Sequence, residues 1–151
     1  MAYATFADLK QVEPTIDEYG VLDYDIELAK SEEEVQRILS VRWWPQYSKL
    51  GRKYDIRIIG DVPLMDTTKL EDAQWTKATV YHCIAYHICP KLTTFSGTEP
   101  DRFQVMMEYY RGRFEHEMDL AIREGVRYDD DGDGIIQDDE KIPDTHLRLK
   151  R

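Results

Sequence analysis

The chain has 151 residues, 42% of them hydrophobic and 11% aromatic, which suits one compact domain with a modest core and disfavours a second full domain. Acidic residues outnumber basic ones by 30 to 20, and the net charge of -10 argues against general nucleic-acid binding, because such a surface repels phosphate. No run of about 18 apolar residues occurs, and the start MAYATFADLK lacks the basic and apolar regions of a secretory signal, so the chain is expected to have no membrane span and to be made in the cytoplasm.

In chain order, Thr5-Phe6-Ala7-Asp8 has the form of a capping box and predicts a short helix from Phe6 to Val12, ahead of Pro14. Gly20 marks a break. From Tyr24 to Trp44 the residues Ile26, Ala29, Val35, Ile38, Leu39 and Arg42 recur at mostly helical spacing until Pro45, which predicts a long helix. Within it, Glu32-Glu33-Glu34 fan out around the axis, so they read as a solvated face rather than a carboxylate catalyst or metal site.

Helical periodicity fades over residues 46–69. There YDIRIIGDVP alternates briefly, with Tyr54, Ile56 and Ile58 on one side, which reads as an extended loop or short strand whose apolar side needs a partner. A second long helix is predicted from Leu70 to Cys89, ended by Pro90. The third follows Thr98-Glu99-Pro100 and stops at Gly125; it carries Phe103, Met106, Met107, Tyr110, Phe114, Met118, Ala121 and Ile122 every three or four residues. That stripe reads as core, since methionine fills irregular gaps between helices. The expected fold is therefore mainly α, a small bundle of three long helices plus a short N-terminal helix. A helical domain over residues 1–125 would be followed by an acidic turn or hairpin and a C-terminal arm over 126–151.

Candidate chemistry is sparse. Cys83 and Cys89 stand in HCIAYHICP beside His82 and His87, but on an α-helix Cys83 and His87 share a face while Cys89 points elsewhere, so buried reduced thiols are the better reading than zinc. His116 lies between two glutamates in FEHEMD without a second histidine at the spacing a metalloprotease motif needs. No Gly-flanked serine or Gly-rich phosphate loop is present, and no enzyme is expected.

The stretch Asp129 to Glu140, DDDGDGIIQDDE, carries two readings. It fills D-x-[DN]-x-[DN]-G-x5-E, with Asp129, Asp131, Asp133, the Ile135 carbonyl and Glu140 at the ligand positions of a calcium loop. Equally, its Asp-Gly turns suit a hairpin that sets Val126, Arg127 and Tyr128 against Ile135 and Ile136. The hairpin is preferred, because Lys141-Ile142-Pro143 leaves little room for the helix that should follow an EF-hand loop. No cofactor is required, and calcium is the one candidate.

The run Leu92-Thr93-Thr94-Phe95, the third helix with YYRGRFEHEMDLAIREGVRYDDDGDG, and the early DLKQVEPTIDEYG together resemble head-tail connector proteins of tailed bacteriophages, also called adaptor or head-completion proteins. The resemblance implies a virion protein built as a helical bundle with long loops and a C-terminal arm. It also implies a ring of about a dozen copies, seated between the portal protein and a downstream neck or tail protein. DNA would pass through such a ring without specific binding, which acidic inner faces would favour. Segment 46–69, with Tyr54, Ile56 and Ile58, and the tail with His146, Leu147, Arg148, Leu149, Lys150 and Arg151 would grip neighbours, as segments that order on binding can.

Overall fold

The structure, a computed structural model, describes residues 2–45, 64–95, 97–138 and 140. They fold as a mainly helical protein, as the periodicity predicts. In order come α1 (Phe6–Val12), a 3-10 turn (Ile16–Tyr19), α2 (Tyr24–Arg42), two further 3-10 turns (Thr67–Lys69 and Asp72–Trp75), α3 (Thr76–Cys83), a π-helical turn (Ile84–Ile88), α4 (Cys89–Leu92) and α5 (Arg102–Glu124). Two compact units result, one of residues up to Val35 together with Asp72–Asp119, the other of Gln36–Glu71 and the residues from Leu120 onward. The division falls within α2 and within α5.

Local chemistry explains most of the element ends. At α1 the backbone N–H and the hydroxyl of Thr5 both donate to Asp8 Oδ2, at 2.8 and 2.7 Å. Gly20 takes the left-handed conformation (φ 73°) that lets the chain turn out of the 3-10 segment and into α2. Asp101 and Gln104 form a reciprocal pair at the start of α5: Gln104 N–H donates to Asp101 Oδ1 (2.9 Å) and Asp101 N–H to Gln104 Oε1 (3.2 Å). This pair, rather than Pro100, opens the helix. Asp101 Oδ2 also accepts from the Thr93 hydroxyl (2.6 Å) and Thr94 N–H (3.0 Å), so one carboxylate ties the end of α4 to the start of α5.

The second predicted helix differs in two ways. It begins at Thr76 rather than Leu70, after 3-10 turns, and it does not stop at Pro90. Cys89 N–H reaches back five residues to the Ile84 carbonyl, and Pro90 falls in the first turn of α4. A proline lacks a donor and its ring crowds the carbonyl four residues earlier; a π turn just upstream widens the backbone, so the rod continues to Leu92.

The core of the first unit is built on this rod. Val80, Cys83, Ile84, Ala85, Ile88 and Cys89 pack with Ala4, Leu9, Ile16, Leu28 and Tyr110, and Phe6, Val12, Met106 and Met107 close the rim. The buried face of α2 runs through Leu28, Ser31, Val35 and Leu39, whereas Ile26 is exposed. The stripe expected from Ile26 and Ala29 is therefore rotated, because the polar Glu27 and Ser31 occupy inward positions that hydrophobicity alone assigns to solvent. On α5 the expected Phe103-to-Met118 face does point inward, with Phe114 and Met118 fully buried.

In the second unit Tyr128 forms an antiparallel bridge with Leu70, and Trp43 and Trp44 lie 5.6 and 5.4 Å from its ring. Pairing of residues 126–128 with Ile135 and Ile136, the hairpin reading, does not occur; Leu70 takes the pairing position. Its hydrogen bonds, Glu71 N–H to Arg127 O and Asp129 N–H to Lys69 O, satisfy the backbone on both sides of Tyr128.

Replacing Ile84 by alanine removes a fully buried side chain from the rod and should cost about 2–5 kcal/mol. Val105→Ala, at a site 58% exposed, should stay within about 0.5 kcal/mol. Urea denaturation of both variants checks the contrast, and equal midpoints would contradict the packing described.

Candidate functional site

The acidic loop is anchored at its base and closed on itself. Lys69 Nζ donates to the Asp130 carbonyl at 2.7 Å, beside the Leu70–Tyr128 bridge. Glycines 132 and 134 have φ of 78° and 84°, which an L side chain resists, so the loop needs glycine at both positions. Asp129 accepts from Gly132 N–H (2.8 Å) through Oδ1 and from Gly134 N–H (2.9 Å) through Oδ2. Asp131 accepts from Asp133 N–H (3.0 Å), and Asp133 from Ile135 N–H (2.7 Å).

Asp129, Asp131 and Asp133 each offer a carboxylate oxygen, all within 4.8 Å of one another. Such a cluster is the kind of oxygen set a hard divalent cation takes. Glu140 does not join it. That residue is 7% exposed, and its carboxylate accepts from Asp130 N–H (2.7 Å), Asp131 N–H (3.3 Å) and Gln137 N–H (2.8 Å), which makes it an internal clasp of the loop. To act as the twelfth ligand it must exchange those amides for the ion. The Ile135 side chain is exposed. Tyr54, Ile56 and Ile58, and His146, Leu147, Arg148, Leu149, Lys150 and Arg151, lie outside the described residues.

A second polar cluster, absent from the sequence reading, lies in the first unit. Glu34, on the middle of α2, faces both His82 on α3 and His87 in the π turn: its Oε2 is 3.1 Å from His82 Nε2 and 3.4 Å from His87 Nε2. His82 is 3% exposed, stacked on Tyr86 at 4.5 Å and edge-on to Phe114 at 4.9 Å. His87 Nδ1 lies 3.5 Å from Oε2 of the buried Glu27. Burial pushes the Glu27 carboxyl up, but hydrogen bonds from Lys91 and Lys30 outweigh it and hold the group below the ordinary carboxylate range.

The backbone explains why spacing concealed this cluster. In an α-helix residues five apart diverge by about 140°, so His82 and His87 read as unrelated. Inside a π turn the repeat lengthens toward five residues, and the two rings come to one face with centroids 5.7 Å apart. Cys83 and Cys89 are both fully buried free thiols, raised to about 12 and about 11 first by burial, consistent with the expected inert role. His116 stands on the exposed face of α5. The one readable sign of the second cluster was Pro90 directly after a run holding two histidines and two cysteines, since a proline inside a continuing helix demands an irregular turn.

No family model, curated protein or solved structure matches the chain. Among the described residues no helix is long and apolar enough to cross a membrane.

Burial is the main cause that pushes His82 down from 6.5 to about 4; Glu34 and Glu115 act upward and His87 downward. The unfolded chain therefore binds the proton more readily than the folded one between those values. This contribution to stability is full above pH 6.5 and is lost as the pH falls toward 4, by about 3 kcal/mol. Denaturant midpoints measured with chelator present from pH 7 to 4 should fall more steeply for the natural chain than for His82→Gln; parallel slopes would contradict it.

Proposed function

We propose that this chain is a structural part of a tailed-phage particle, a head-tail connector. It assembles with copies of itself beneath the portal protein, contacts a downstream neck or tail protein, and lets DNA pass without specific binding. The resemblance in Leu92 to Phe95, in the α5 sequence and in the early DLKQVEPTIDEYG supports this reading, as does the mainly helical fold that it implies. The observation that carries it is apolar surface left outward in the first unit. Val105 and Tyr109, one turn apart on α5, are 58% and 60% exposed, and Phe95, just before α5, is 69% exposed. Exposed apolar groups such as these are suited to burial against another subunit. The occupant proposed is a second copy of this chain. With a net charge of -10, apolar contact has to overcome mutual repulsion, so assembly should strengthen with salt.

A second reading, a small calcium-binding interaction module, is favoured by the convergence of Asp129, Asp131 and Asp133. The two readings separate by experiment. Size-exclusion chromatography with light scattering should find rings, alone or with portal protein, that do not depend on calcium. Val105→Asp with Tyr109→Asp should return the protein to monomers, and a natural chain that stays monomeric and ignores portal would overturn the connector. The calcium module instead requires a calorimetric binding signal that Asp129→Ala with Asp131→Ala abolishes. Calcium at a hundred times its dissociation constant should then raise stability by about 2.7 kcal/mol. Flat traces from both proteins would remove that reading.

A further inference from the structure

We propose that Glu34, His82 and His87 form a binding site for a divalent transition-metal ion, zinc(II) first, held by the two imidazole Nε2 atoms and Glu34 Oε2 with water in the fourth position. The inference stands apart from assembly and from the acidic loop.

Geometry is the first argument. Zinc bonds to nitrogen and oxygen of about 2.0–2.1 Å place neighbouring donors of a tetrahedral shell about 3.3–3.4 Å apart. Oε2 of Glu34 stands 3.1 Å from one Nε2 and 3.4 Å from the other, and one ligand atom from each of the three residues lies within 4.8 Å of the other two. Small adjustments of side-chain torsions bring an ion within bonding distance of each. The donor set, two imidazoles and a carboxylate, suits zinc better than calcium or magnesium, which prefer oxygen alone.

Hydrogen bonding supplies the second argument. Buried polar atoms are normally satisfied, yet His87 Nε2 has no hydrogen-bond partner. His82 can donate from Nε2 to Glu34 as an ordinary polar pair. His87 Nε2 then faces the same oxygen at 3.4 Å without a bond, and a shared cation is what lets both rings use their lone pairs at once.

The surroundings provide the third. Metal-bound imidazoles usually present their other nitrogen to a carboxylate, which fixes the tautomer and strengthens the ligand. Glu27 Oε2, itself without a hydrogen-bond partner, lies 3.5 Å from His87 Nδ1, and Lys30 and Lys91 engage the other oxygen of that carboxylate. The Glu34 side chain is 49% exposed, which leaves one side open for the ion to enter and for a water ligand. Bound there, the ion links α2 to α3 and to the π turn within the first unit.

The test uses the full chain stripped with chelator, then titrated with zinc against a chromophoric competitor and, separately, with cobalt(II). The natural chain and Asp129→Asn with Asp131→Asn should each take up one equivalent. Glu34→Gln and His87→Gln should bind at least about tenfold more weakly, and Glu27→Gln about 10–100-fold more weakly, with helical circular dichroism retained. Cobalt should give visible d–d bands and no thiolate charge-transfer band. Should a variant fail to fold, imidazole nitrogen NMR of the natural chain decides: zinc should shift the His82 and His87 Nε2 signals and leave His116 unmoved. No uptake, equal affinity in the Glu34 and His87 variants, loss of uptake in the acidic-loop variant, a thiolate band, or unmoved His82 and His87 signals would each overturn the site.

Discussion

Pro90 has no amide hydrogen, and its ring would collide with the Tyr86 carbonyl in an unbroken α-helix. The chain could have ended its helix there, as most do. It continues to Leu92, which packs against the core of the first unit, directly after the fully buried Ile84, Ile88 and Cys89. The π turn is the resulting compromise, and it positions His87 as well as the helix end.

Carboxylates do much of the joining in that unit. Glu13 accepts from Tyr110 and from Tyr19, fastening the end of α1 to α5 and to the adjoining 3-10 turn. Glu27 gathers Lys30 and Lys91, and Asp101 gathers Thr93, Thr94 and Gln104. A strongly acidic chain thus spends several carboxylates on contacts between elements, where charge-assisted hydrogen bonds are stronger than neutral ones. The acidic loop follows the same chemistry on a smaller scale. Its aspartates and Glu140 take up the amides of a tight turn, and the same oxygens are those a cation would use.

The proposed building-block role and the proposed zinc site draw on different parts of the first unit. Apolar surface on α5 and before it bears on association between copies, whereas the His–Glu cluster lies between α2 and the helical rod inside one chain. A metal there would stiffen the subunit without belonging to its contact surface.

The chain's own letters were enough to determine the helix start at Thr5, the break at Gly20 and the helix end at Gly125, and that α5 turns its methionine and aromatic stripe inward. Capping, left-handed glycine and a 3.6-residue apolar repeat act over a few neighbours, so they can be read locally. Tertiary structure alone decided that Glu27 and Ser31 face inward while Ile26 faces water, that Tyr128 pairs with Leu70, and that His82, His87 and Glu34 meet. Each of those depends on partners 40 or more residues away or on a change of helical repeat, and neither is encoded in the spacing of near neighbours.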